Sequence, residues 1–96
     1  MTVRYLTVAA QEQAEAVEYY NREKSGLGYE FAAAVDEAIE RVVEYPQAWP
    51  LISKRVRQCR IRRFPYGIIY QAKRREILIV GIMHLQRNPR HWKDRI

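Results

Sequence analysis

The sequence predicts an α+β fold of order β-α-α-β-β-β, with a helical hairpin packed on one face of a mainly antiparallel four-stranded sheet. Three observations predict it. Residues 10–44 carry apolar side chains at helical spacing and are interrupted once, by Ser25-Gly26-Leu27-Gly28. Residues 56–84 are rich in β-branched and aromatic residues, with breaks at Phe64-Pro65 and at Lys73-Arg74-Arg75-Glu76. The chain has 96 residues, enough for one domain, 1–96, and too few for two.

In chain order, VRYLTV at 3–8 reads as a first strand. A helix follows from about Ala10 to Lys24, with Ala10, Ala14, Val17 and Tyr20 as its apolar stripe. Glycine in the 25–28 joint supplies a left-handed cap, and the short joint makes the two helices antiparallel. The second helix spans about Tyr29–Glu44, with Phe31, Val35, Ala38, Ile39 and Val42 inward, and Pro46 stops it. Val35 and Ile39 are expected in the core. Trp49, in the loop that follows, is expected to pack under the hairpin. Three strands are predicted at about 56–63, 66–73 and 77–84, and the last is apolar on both parities, as a central strand covered on both sides would be.

The longest apolar run, Ile77 to Met83, is far short of the roughly 20 residues of a membrane span, and the N-terminus has no signal-like apolar stretch. A cytoplasmic protein is expected, with no membrane partner. Cys59 is the only cysteine, which excludes an intrachain disulfide and a cysteine metal cluster. No cofactor and no metal are expected, and Cys59 itself reads as a small core hydrophobe.

The net charge of +6 conceals an asymmetry. Residues 1–50 set four Lys and Arg against nine carboxylates, a net of −5, and residues 51–96 set thirteen against two, a net of +11. Such a contrast within one domain points to an anionic partner. The charge peaks in VRQCRIRRFPYGIIY, residues 56–70. By strand parity, Cys59 and Ile61 face the helices, Arg60 and Arg62 project from the opposite face, and Arg57 and Arg63 reach solvent at the ends. Tyr66, Tyr70 and His84 then join that face, rimmed by Arg87, Arg90, His91, Trp92, Lys93 and Arg95. Guanidinium groups beside aromatics suit phosphate contact with base stacking, and equally an acidic protein segment. His91 and Trp92 also fit a purely structural role, anchoring the C-terminal turn on the sheet.

SGLGYEF at 25–31, PQAWP at 46–50, VRQCRIRRFPYGIIYQ at 56–71 and IMHLQRNPRHWKDR at 82–95 together resemble the RelE/ParE superfamily of bacterial toxins, particularly its ParE-like plasmid-stabilisation members. The likeness spans nearly the whole chain. It implies the fold above and the toxic half of a type II toxin–antitoxin system. A cognate antitoxin, usually encoded beside the toxin, would wrap and neutralise it in a hetero-oligomer.

The resemblance leaves two targets. RelE-like members cut mRNA on the ribosome, and ParE-like members act on DNA gyrase without a nuclease site. Cleavage through a 2′-hydroxyl needs a base, an acid and positive charge on the phosphate. His84 and Arg87 are the candidates for that chemistry, with His91 as another acid or base, Arg60 and Arg62 as clamps, and Trp92 or Tyr70 as a stacking surface. The position where RelE-like nucleases carry an arginine after the tyrosine is Gly67, and no carboxylate lies between Glu44 and Glu76. The catalytic set is therefore incomplete, which favours gyrase as the target. The expected partner- or target-binding residues are Arg57, Arg60, Arg62, Arg63, Tyr70, Arg87, Arg90 and Trp92. A non-toxic basic nucleic-acid-binding module is the reading from a different class.

Overall fold

The computed structural model describes residues 1–87 and 91–96, the side chain of His91 apart. Its elements are β1 (Thr2–Tyr5), α1 (Thr7–Glu23), α2 (Leu27–Glu44), β2 (Arg57–Arg60), β3 (Tyr66–Ala72) and β4 (Glu76–His84), followed by a 3-10 turn at His91–Arg95. The sheet order is β1-β4-β3-β2. β2–β3 and β3–β4 are antiparallel, and β1 lies parallel to β4, so the sheet is mixed with antiparallel pairing dominant.

β1 is shorter than the sequence suggests. Its ladder ends at Tyr5 opposite Ile79, just before the β4 residue left out of the β3–β4 register. Leu6 donates the last bond to Ile79 O and its own carbonyl accepts from Ala10, so Thr7 and Val8 enter the helix despite their β propensity. Helix α1 is also turned from the expected stripe. Ala9 and Ala16 are buried with Tyr20 packed beside them, while Ala10 and Ala14 are exposed. Helix α2 buries Phe31, Val35, Ala38 and Val42 as expected, and Ile39 is half-buried.

The joint between the helices works through two glycines. Gly26 takes φ 86°, a left-handed conformation, at the start of α2 rather than as a cap of α1. A Cβ at Gly28 would overlap the Val17 carbonyl oxygen, so only glycine lets the helices cross this closely. The Gly28 amide donates to Asn21 Oδ1 at 2.7 Å and fixes the crossing.

β4 is central and buried on both faces, as expected. One core, beneath the hairpin, contains Phe31, Val35, Cys59, Ile61, Phe64, Ile68, Tyr70, Ile79 and Ile82. The other, on the opposite face, joins Val56, Ile69, Leu78, Val80, Met83 and Trp92. The face expected to carry arginines is thus partly closed by the C-terminal turn. A register shift decides which side chains lie where. Ile69 pairs with Gly81 but Tyr70 pairs with Ile79, and Val80 is the extra residue. Such a bulge inverts the parity of all that follows. Ile82 and His84 therefore sit on the hairpin side, although Ile77 and Ile79 share that side with odd numbers.

Candidate functional site: an arginine cleft and a histidine cleft

The arginines of 57–63 do not form one face. β2 ends at Arg60, and the chain reverses through 62–65, closed by Ile61 N donating to Tyr66 O at 2.9 Å. Arg63 adopts φ 76° there. Strand parity stops applying beyond Arg60, so Arg62 does not continue the alternation expected of it. It swings to α2 and pairs with Glu37 at 3.1 Å, while Arg63 pairs with Glu30 at 3.0 Å. Glu37 also stands 3.6 Å from Arg41 Nε. Arg57 donates to the carbonyls of Gln47 and Trp49 at 3.1 and 2.7 Å. The crowding of like charge is thus relieved within the chain, by two carboxylates of α2 and two loop carbonyls.

Arg41, Arg60, Arg62 and Arg63 surround a shallow cleft of about 520 Å³ with Trp49, Ile61, Phe64 and Pro65. Arg41 lies over the Trp49 ring at 5.3 Å, which holds Trp49 half-buried beside the hairpin as expected. The Trp49 indole N–H and Arg41 Nε are both buried without a hydrogen-bond acceptor among the described residues. Arg60 is exposed and has no carboxylate partner among them. This is a donor-rich surface with an apolar floor.

Tyr70 and Trp92 do not line the arginine cleft. Tyr70 is wholly buried and its hydroxyl donates to Pro46 O at 2.7 Å, while Trp92 is 5% exposed in the second core. The Trp92 ring anchors the C-terminal turn, the structural role foreseen for it. Burial also pushes the Tyr70 hydroxyl up to about 12, and the Tyr5 hydroxyl, which donates to Gln13, likewise to about 12. Their folded values lie above the unfolded value near 10, so their contribution is present below pH 10 and is lost as pH rises from 10 to 12. Loss of roughly 2–3 kcal/mol from Tyr70 alone is expected over that window, read from urea unfolding at stepped pH. Tyr70→Phe should flatten the dependence. Burial likewise raises the Cys59 thiol, which fits a core role and not a reactive one.

A second cleft, of about 280 Å³, lies where β4 ends. His84 is directly opposite Tyr66 in the ladder, with ring centroids 5.3 Å apart. Its Nδ1 accepts from the Gln86 amide at 3.2 Å, leaving Nε2 to carry the proton of the neutral ring. Partial burial and then the Arg87 charge hold its pKa below the usual histidine value. Helix α1 supplies Glu12, Glu15 and Tyr19 to the same cleft, residues that reading the strands alone misses. Glu12 is committed. It accepts from Ile82 N at 3.1 Å and forms a two-pronged pair with Arg95 at 2.8 and 2.9 Å. A carboxylate three residues after Ala9 and four before Ala16, on the inward face, was the available signal. A Cβ at Gly67 would meet the side chains of Leu85 and Gln58, so any side chain there requires Leu85 to shift. Arg90 lies outside the described residues, as does the His91 side chain.

Residues 3–89 match the family model described as ParE toxin of type II toxin-antitoxin system, parDE. Among solved structures, the chain is similar to one described as the chromosomal ParDE TA system from P. aeruginosa. The identity is 21%, covering 88% of this chain and 95% of that one with a TM-score of 0.65, a likeness of fold. No curated protein matches the chain.

Proposed function

The chain belongs to the ParE toxin family of type II toxin–antitoxin systems, and from that premise we propose that it arrests growth by binding DNA gyrase and is silenced by an antitoxin encoded beside it. The observation that carries the choice of target is the charge balance around His84. Arg87 shares that cleft with Glu15 and with Glu12, which Arg95 already pairs. A phosphodiester entering that cleft meets two carboxylates, so transition-state charge gains little net stabilisation. Binding through dispersed donors needs no such centre, and the arginine cleft and Arg87 supply them.

Ribosome-dependent mRNA cleavage is the second reading, because Glu15, Tyr19, Tyr66, His84 and Arg87 do line one cleft. The two readings part at His84. Loss of a general acid or base costs roughly 10²–10⁴ in rate, whereas a binding surface tolerates loss of one rim group. His84→Gln is therefore expected to keep most toxicity, scored as colony survival on induction with soluble protein checked by blot. The combined Arg60→Ala, Arg62→Ala and Arg87→Ala variant is expected to lose it. A soluble, non-toxic His84→Gln protein would favour the nuclease, and a harmless parent chain would favour a plain nucleic-acid-binding module.

A further inference from the structure

A further group of cations without a carboxylate partner among the described residues lies away from the arginine cleft. Lys54 and Arg55 form a ridge between two grooves. One, of about 480 Å³, is lined by Arg57, Lys73, Leu51 and Ala72 among others. The other, of about 520 Å³, is lined by Val56, Trp92, Lys93 and Ile96. No carboxylate lines either groove among the described residues, and Arg74 and Arg75 extend the charge along the β3–β4 turn. Exposed apolar side chains accompany it, with Leu51 at 54% and Ile96 at 51%.

We propose that this ridge and its two grooves dock an acidic segment of a partner protein studded with apolar side chains, its carboxylates on Lys54, Arg55, Lys73 and Lys93 and its apolar residues against Leu51 and Ile96. The occupant follows from the chemistry. Carboxylate-free cations select an anion, and exposed aliphatic side chains reward an apolar one. A single-stranded nucleic acid would want exposed aromatic rings for stacking, and the one ring lining these grooves among the described residues, Trp92, is 5% exposed. The proposal rests on the antitoxin reading above, which supplies a protein partner, and it places that partner off the arginine cleft.

The test titrates the purified chain into a short fluorescein-labelled peptide carrying Leu and Ile at helical spacing and Glu elsewhere, read by anisotropy. Binding is expected, and Lys54→Glu with Arg55→Glu should weaken it about tenfold or more. Both positions are exposed, so the fold should survive, checked by circular dichroism. Raised salt should weaken binding too, since the Debye length is only about 10 Å at 0.1 M. Replacing Leu and Ile of the peptide by Ser should cost a similar factor. Arg22→Glu with Lys24→Glu makes the same change in net charge at the far end of α1 and should leave affinity within about twofold. No binding by the parent chain, equal loss in the Arg22/Lys24 variant, or no loss in the Lys54/Arg55 variant would overturn the proposal. Displacement of the peptide by an equal concentration of oligothymidylate would also overturn it, in favour of nucleic acid. Failure of the neighbouring gene product to restore growth would count against the antitoxin reading alone.

Discussion

Phe31→Ala is expected to remove about 3–5 kcal/mol of stability, a large share of the roughly 5–15 kcal/mol that holds a domain of this size. The ring is fully buried and meets Tyr20, Phe64 and Tyr66 at centroid distances of 5.3, 5.1 and 5.0 Å, so it joins both helices to the start of β3. Its truncation leaves a cavity among rigid rings that cannot relax into it, and it forfeits the edge contacts of the ring pairs. Phe31→Leu keeps most of the volume and should cost under about 1.5 kcal/mol. Urea unfolding followed by tryptophan fluorescence measures both. A loss under about 1 kcal/mol for Phe31→Ala would mean that the hairpin is not held through this cluster.

Glu12→Ala is expected to cost about 2–4 kcal/mol, because one side chain satisfies three donors. Its removal strips the carboxylate from Arg95, which is only 15% exposed, and leaves the Ile82 amide without an acceptor next to the bulge. Arg95 also donates to Val80 O, so the same pair ties the C-terminal turn to α1 and β4. Arg95→Met should cost less, since it removes the charge while Glu12 can still accept from Ile82. Comparable losses for the two variants would show that the ion pair, and not the orphaned amide, carries the energy.

Much of the fold was legible because periodicity reports burial directly. The α2 stripe from Phe31 to Val42 and the two-sided β4 strand both stand where apolar spacing placed them. What misled was long-range. Thr7 and Val8 looked like strand and became helix because the β1 ladder ends at the β4 bulge. The one local sign of that bulge is Gly81, a glycine inside an apolar strand, yet the bulge moves His84 to the hairpin side and brings it to Glu15 and Tyr19 of α1. The arginine run was visible and its arrangement was not. Parity presumes a straight strand through Arg63, and the reversal at 62–65 hands Arg62 and Arg63 to Glu37 and Glu30, a full 25 and 33 positions earlier. Acidic residues two turns apart on one helix face were the only hint of it.

The most direct test of the proposed function is supercoiling of relaxed plasmid by purified bacterial gyrase in the presence of this chain. Dose-dependent loss of supercoiling, largely kept by His84→Gln and abolished by the Arg60, Arg62 and Arg87 triple variant, is the predicted result. Full gyrase activity at every concentration of a folded chain that stops growth when expressed would contradict it.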